Sequence, residues 1–137
     1  MVITTLIVVI LRYVFSIGAI AIQELTMYFH GISFLLAIPY GILKDTHVRV
    51  DLIYSRLSTE RRNLINSIGH CLFLIPVGIF IVLTSLPYVE ASWAIRERSS
   101  EVGGLPAIYV LKACVPLAGA LLTLQGLSEL IKKLLKE

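Results

Sequence analysis

Charge is scarce in this sequence. Only 15% of its residues are Asp, Glu, Lys or Arg, whereas a soluble domain of this size carries about 25%. In addition, 57% of the residues are hydrophobic and the mean hydropathy is +0.86. Together these values exclude an ordinary soluble protein. The basic clusters at 44–62 and 132–136 lack the pattern of interleaved aromatics that a nucleic-acid surface shows, which argues against nucleic acid as a partner.

Motifs for catalysis, cofactors and metals are also missing. The sequence has no phosphate-binding loop, glycine-rich dinucleotide fingerprint, Cys-x-x-Cys or His-Glu-x-x-His. Its two cysteines, Cys71 and Cys114, lie far apart inside apolar runs and are interpreted as small buried hydrophobic residues. We therefore expect no catalytic, cofactor-binding or metal site, and we predict that the chain is not an enzyme.

What the sequence does contain is long apolar blocks. A helix needs about 20 mostly apolar residues to cross the hydrocarbon core. Four blocks approach that length and predict helices at about 1–22, 25–43, 60–89 and 105–131. The predicted fold class is all-α: one integral membrane domain over residues 1–137, with about four transmembrane helices. The first block is the weakest of the four, because Arg12 interrupts it.

The connection between the second and third blocks has a pattern of its own. Within 47–57, Val50, Ile53, Tyr54 and Leu57 recur at i, i+3, i+4 and i+7, which places them on one helical face. This spacing predicts a short amphipathic segment that lies in the membrane interface on the cytoplasmic side.

The distribution of Lys and Arg predicts the orientation. The central connection holds Lys44, Arg49, Arg56, Arg61 and Arg62, and the C-terminal tail holds Lys132, Lys133 and Lys136. The connection between the third and fourth blocks holds only Arg96 and Arg98, beside three glutamates. Basic residues accumulate in cytoplasmic loops. With four spans, both termini are predicted to be cytoplasmic, and the third-to-fourth connection faces outward.

Three charged residues within or near the apolar blocks are candidate functional positions, since charge at membrane depth is costly. Lys112 lies about seven residues, or roughly 10 Å, inside the fourth predicted helix. We interpret it as a side chain that snorkels or pairs with an acid, rather than as a transport group. Arg12 and Glu24 lie near the outer ends of their helices, where an ion pair across the first hairpin is the expected arrangement.

Two histidines within the apolar blocks raise the question of a haem. His30 is on the second predicted helix and His70 on the third. Their predicted depths differ by about 9 Å in a core about 30 Å thick. A bis-histidine haem needs ligands at nearly the same level, so we interpret both as polar contacts between helices.

Short motifs in a consistent order resemble the small membrane subunit of tripartite ATP-independent periplasmic (TRAP) transporters. The resemblance covers about residues 12–130. The motifs are Arg-Tyr-Val-Phe at 12–15, Gln-Glu-Leu at 23–25, the segment 41–51 with His47 and Asp51, Trp93, 97–100, Leu105 with Pro106, Pro116 and Gln125. The resemblance adds His47 and Asp51 to Arg12, Glu24 and Lys112 as candidate structural or partner-interface residues.

The resemblance implies a subunit of a secondary transporter in a bacterial-type inner membrane. Its implied partners are a large multi-span TRAP membrane subunit and a periplasmic substrate-binding protein, together with the lipid bilayer. The small subunit would scaffold the large one and help dock the binding protein. Uptake would be of an organic anion, often a carboxylate, driven by an ion gradient.

Three other functions remain open at this stage. A membrane anchor of a respiratory enzyme would bind quinone or haem, which the unequal histidine depths disfavour. A small multidrug exporter also has four helices, but it would need an acid deep in its first helix, where this chain has Arg12. A general assembly factor is compatible with the same composition.

Overall fold

A computed structural model of the chain describes residues 1–44 and 58–134, and the regular structure within these ranges is helical. The helices are α1 (Val2–Tyr13), α2 (Ile20–Leu43), α3 (Thr59–Gly69), α4 (Ile75–Ala94) and α5 (Ile108–Leu134). A π-helical turn, His70–Leu74, joins α3 to α4. The predicted interfacial segment at 47–57 lies outside the described residues.

Three helical segments of the described chain are long and apolar enough to cross a membrane. They are Ile20–Leu43 with 24 residues, Leu64–Ala94 with 31 and Ile108–Lys132 with 25. By contrast, α1 has 12 residues, about 18 Å at 1.5 Å per residue, and the hydrocarbon core is about 30 Å thick. Of the about four spanning helices that were predicted, the described residues therefore show three of sufficient length and one shorter apolar helix, so a fourth span is not confirmed.

The first predicted helix, 1–22, is interrupted in the structure. It ends at Tyr13 because Ser16 adopts a left-handed conformation, with φ of 56°. The Ile17 amide then donates to the Leu11 carbonyl at 2.9 Å and closes the turn. Helix α2 begins at Ile20, before the predicted position 25, so Glu24 lies in its second turn rather than ahead of it.

Proline shapes the third span. Pro76 has no amide hydrogen, and its ring crowds the carbonyl one turn earlier, so a regular α-helix cannot continue through it without distortion. The wider turn at His70–Leu74 precedes it, and the Ile75 amide donates to the carbonyl of His70. A π turn of this kind is a recognised way for a helix to absorb such a mismatch.

Small residues bring α4 and α5 into close contact. A Cβ atom at Gly78 would lie 3.0 Å from the Gly119 carbonyl oxygen, and one at Gly119 would lie 3.0 Å from that of Gly78. Ala118, beside this crossing, is buried. Close backbone approach at small residues is how membrane helices gain packing energy. This antiparallel pair is the most extensive helix contact in the described chain.

Helix α2 packs along the other side of α5. A Cβ atom at Gly31 would meet Leu111 Cδ1 at 3.2 Å, and Glu24 near the start of α2 bonds to Leu105 just before α5. The two helices therefore run in the same direction. This arrangement places the start of α2, the end of α4 and the start of α5 at one end of the bundle.

Candidate functional site

Residues 95–107 connect α4 to α5 and form a loop with a defined backbone. At the end of α4, the Glu97 amide donates to the Ser92 carbonyl at 3.0 Å and the Arg96 amide to the Trp93 carbonyl at 3.1 Å. These two bonds, with Arg96 in the left-handed region at φ 47°, make a Schellman motif. Glycine is usual at the left-handed position, so arginine there costs about 1 to 2 kcal/mol.

Glu24 holds the loop from α2. One carboxylate oxygen accepts a hydrogen bond from the Ser99 hydroxyl, and the other accepts from the Leu105 amide at 2.6 Å. The Ser99 amide in turn donates to the Leu105 carbonyl at 3.2 Å. The carboxylate thus joins both arms of the loop to a helix that lies 75 or more residues earlier in the chain.

Two glycines let the loop close on this carboxylate. Gly103 has φ of 83°, a conformation that residues with a Cβ rarely adopt. Gly104 is required for a different reason, since a Cβ there would lie 2.7 Å from the Glu24 Oε1 atom. The Gly-Gly pair therefore serves both the turn and the approach of Glu24.

Glu97 forms a second anchor, to α5. Its carboxylate forms a salt bridge with the Lys112 ammonium and accepts a hydrogen bond from the Ser92 hydroxyl at 2.6 Å. The hydrogen bond from Lys112, followed by that from Ser92, lowers the pKa of Glu97 below its ordinary value of 4.5. Ser92 is only 2% exposed, so this contact is fixed within the packed end of the bundle.

Aromatic side chains surround the Lys112 contact. The Lys112 Nζ atom lies 4.1 Å from the centroid of the Tyr88 ring, within the range of a cation–π interaction. Trp93 and Tyr109 meet edge to face with centroids 4.9 Å apart. Trp and Tyr are enriched at membrane–water interfaces, and this pair lies at the end of the bundle where α4 ends and α5 begins.

The structure brings together two of the five residues predicted from sequence. Glu24 and Lys112 anchor the same loop, through different partners. Lys112 lies four residues after Ile108, where α5 begins, about 6 Å along the helix, so it is shallower than predicted. His47 and Asp51 lie outside the described residues.

The expected Arg12–Glu24 ion pair is absent from the residues that the structure describes. Arg12 is exposed at the end of α1, and its side chain has no hydrogen bond or ion pair within that part of the chain. Glu24 instead accepts hydrogen bonds from the Ser99 hydroxyl and the Leu105 amide, which turn its carboxylate toward the 95–107 loop.

Sequence reasoning did not select Glu97, Ser92 or Ser99 as site residues. One signal for Glu97 was present, since an unpaired lysine in an apolar helix requires a nearby acid. The motif at 97–100 includes Glu97 and Ser99 but did not show what either residue contacts. Ser92 carried no signal, because serines at close helix contacts are common in membrane proteins.

The arrangement is suited to holding a loop in place. Among the described residues, no group of three or more His, Cys, Asp or Glu side chains lies close enough to hold a metal ion. Glu24 accepts hydrogen bonds from the chain through both carboxylate oxygens, and Glu97 accepts through one. These bonds hold the loop against α2 and α5.

Comparison with protein families decides the assignment. Residues 1–136 match the model of the family described as tripartite ATP-independent periplasmic transporters, DctQ component. The chain belongs to this family. The resemblance drawn from the sequence motifs is thereby confirmed, and the match extends over the N-terminal helix as well. No curated protein and no solved structure matched the chain.

Membership in this family establishes the general role of the DctQ chain. It is the small component of a TRAP transporter, a membrane protein that works with a large membrane subunit and a binding protein. A component of this family is not known as a catalyst, in agreement with the prediction that the chain is not an enzyme. The respiratory-anchor alternative gains no support from the comparison.

Proposed function

We propose that this DctQ chain scaffolds the large transport subunit and helps dock the periplasmic binding protein during ion-gradient-driven uptake of an organic anion. A carboxylate is the proposed substrate class. The observation that carries the proposal is the family match over residues 1–136. Substrate and coupling-ion sites are assigned to the large subunit, and the small subunit acts by positioning.

The distribution of charge along the spans favours a scaffold role over transport by this chain alone. A carrier places polar groups near the membrane midplane, where substrate and ions bind. In the described spans, Glu24, Glu90 and Lys112 lie toward one end of the bundle, and Glu129 and Lys132 toward the other. The middle of each span carries no Asp, Glu, Lys or Arg.

The outer faces of the helices also support a scaffold. Large apolar side chains on the third span, among them Phe73, Phe80 and Leu83, are mostly exposed in the isolated chain. Exposed apolar area on this scale is covered by lipid or by another membrane protein. A subunit that packs beside a larger one needs a surface of this kind.

We propose an inner-membrane orientation with both termini in the cytoplasm and the 95–107 loop in the periplasm. The excess of Lys and Arg in 44–62 and 132–136 supports it. In this orientation the loop anchored by Glu24 and Lys112 faces the compartment in which a periplasmic binding protein would approach.

The first test is purification of the chain from its native membrane in mild detergent, with mass spectrometry of the proteins that accompany it. We expect a stoichiometric multi-span subunit, together with gradient-dependent uptake of a carboxylate when that complex is reconstituted with its binding protein. Recovery of the chain alone, as a small homo-oligomer, would contradict the scaffold role. Recovery with flavin- or haem-bearing subunits would instead favour a respiratory anchor.

A further inference from the structure

We propose that Arg96 and Arg98 on the 95–107 loop form a docking surface for an acidic face of the periplasmic binding protein. The inference rests on the proposed function, and it names the surface of this chain and the chemistry of the partner's contact. It is based on one contrast at this end of the bundle: the carboxylates of two glutamates bind to the chain itself, whereas the two arginine side chains are exposed.

The acids and the arginines of this region have opposite environments. The Glu24 carboxylate accepts hydrogen bonds from the chain itself through both oxygens, and the Glu97 carboxylate is held by Ser92 and Lys112 through one oxygen. The side chains of Arg96 and Arg98 are exposed, and neither forms a hydrogen bond or ion pair within the described ranges. This loop of two arginines and two glutamates therefore presents two unpartnered guanidinium groups to the aqueous phase.

The backbone at Arg96 strengthens the argument. The residue occupies the left-handed position of the Schellman motif, with φ of 47°, where glycine would be unstrained. Strain that the surrounding structure holds in place is concentrated at functional sites. The arginine side chain gains nothing within the described chain that would offset this strain, so we infer that its contribution comes from a partner.

The loop is also prepared for binding. Glu24 joins its two arms and Glu97 joins it to α5, so its backbone is fixed before any partner arrives. A fixed backbone reduces the conformational entropy lost on association. On the same loop, Ile95, which directly precedes Arg96, is 73% exposed, and Val102 is 91% exposed. Arginine next to exposed apolar side chains is typical of protein interfaces.

One observation favours a protein partner over anionic lipid. Glu101 is exposed next to Val102, and a carboxylate there opposes insertion of the loop among anionic headgroups. The exposed cations of this loop are both arginine, whose planar fork can bind a carboxylate of a protein partner through two parallel hydrogen bonds. Basic residues are also disfavoured on the outer side by the rule that orients membrane proteins, so their presence there calls for a specific role.

The test measures binding of the transporter's own fluorescently labelled binding protein to the complete membrane complex in proteoliposomes. We expect the double variant Arg96→Glu/Arg98→Glu to weaken the Kd by about tenfold or more, since like charges would then face each other. The wild-type Kd should also weaken as ionic strength rises. Arg61→Glu, at the other end of the bundle, is the matched control and should leave the Kd unchanged.

A second variant guards against a folding defect. Arg96→Gly relaxes the left-handed position and should raise the melting temperature of the complex, yet it should weaken docking. Equal Kd values for the wild type, the double variant and Arg96→Gly would overturn the inference and leave the scaffold role standing. If the wild-type complex itself does not bind the binding protein, the proposed docking function fails, and this inference fails with it.

The same preparation distinguishes lipid from protein. Anionic phospholipid that co-purifies with each complex is quantified by mass spectrometry. Unchanged docking together with loss of this lipid in the double variant would assign the arginines to the membrane and overturn the proposal. Unchanged lipid together with weakened docking is the expected result.

Discussion

At the scale of single residues, the Glu97–Lys112 salt bridge decides how the loop responds to acid. The pKa of Glu97 is lowered in the folded chain, chiefly by the hydrogen bond from Lys112. A lowered folded-state pKa means that the stabilisation is fully present above the unfolded value, near 4.5. It is lost as the pH falls through the folded value, because the protonated carboxyl no longer attracts the ammonium.

We therefore predict that Glu97→Gln lowers the melting temperature of the detergent-solubilised chain at pH 7, and that its difference from the wild type shrinks as the pH falls below about 4.5. Thermal unfolding between pH 3 and pH 7 measures this. Glu90→Gln is the control, since the exposed Glu90 side chain has no partner in the described residues. A difference that stays constant across the range would assign the effect of Glu97 to packing rather than to charge.

Gly104 provides a steric test of the Glu24 anchor. A methyl group at this position would meet Glu24 Oε1 at 2.7 Å and Ser99 Cβ at 2.5 Å. Gly104→Ala should therefore destabilise the chain by about 1 to 3 kcal/mol, the usual cost of an overpacked site. Gly18→Ala serves as the control, because nothing lies within 4 Å of its added Cβ. Thermal unfolding compares the two, and equal stability would show that Glu24 can move aside.

The residues of this site show how far sequence reasoning reaches. Lys112 was expected to snorkel or to pair with an acid, because a lone cation in an apolar helix has few alternatives. The identity of its partner depends on the Schellman turn at Arg96, which directs Glu97 back toward the bundle, and arginine is not a residue that predicts such a turn. The Arg12–Glu24 pair was wrong because the true partners of Glu24 are 75 and 81 residues away.

At the scale of helices, the crossing of α4 and α5 holds together the two helices that the 95–107 loop connects. The two backbones approach at Gly78 and Gly119, where neither position has room for a side chain. The apolar blocks predicted the existence of these helices from length and composition. They did not predict the crossing point, since a membrane helix that is apolar on all sides has no hydrophobic stripe to show which face packs.

We predict that Gly78→Ala destabilises the chain by about 1 to 3 kcal/mol. Its Cβ would lie 3.0 Å from the Gly119 carbonyl oxygen and 3.1 Å from the Thr123 amide nitrogen, and a backbone neighbour cannot rotate away. Gly69→Ala is the matched control within a helix. It has open space around the added Cβ and should raise stability by up to about 1 kcal/mol through helix propensity. Opposite signs for the two variants in thermal unfolding are the expected outcome.

Helix boundaries show a second limit of sequence reasoning. The third span continues to Ala94, beyond the predicted end at 89, although Glu90 is charged. The reason is that Glu90 is exposed near the C-terminal end of its helix, where a charge costs little. The π turn at His70–Leu74 was not predicted, because Pro76 alone does not show whether a helix will bend, break or widen.

At the scale of the whole molecule, the N-terminal helix differs from the other helices in how it can cross the membrane. Helix α1 contacts α2 but has no buried residue. Its length of about 18 Å falls short of the hydrocarbon core, so residues 14–19 would have to complete a crossing. Backbone that is not helical at membrane depth persists only where protein covers its polar groups. A crossing by α1 therefore requires cover from the large subunit.

Cysteine labelling in intact cells tests this topology. In a Cys71→Ser/Cys114→Ser background, a membrane-impermeant maleimide should label Val102→Cys from the periplasm, because this position is 91% exposed on the outer loop. Lys132→Cys should react only after lysis, since it is the last residue of the Ile108–Lys132 span, at the end proposed to be cytoplasmic. Labelling of Lys132→Cys but not Val102→Cys in intact cells would invert the proposed orientation.

Val2→Cys then reports on α1 itself. With the large subunit present, we expect it to stay protected until lysis, because the four proposed crossings would place the N-terminus in the cytoplasm. Without the large subunit, the uncovered backbone at 14–19 makes a crossing costly, so a fraction of the chains should react from outside. Protection that does not depend on the large subunit would show that α1 crosses unaided. Labelling in its presence would leave three spans and an N-terminus on the periplasmic side.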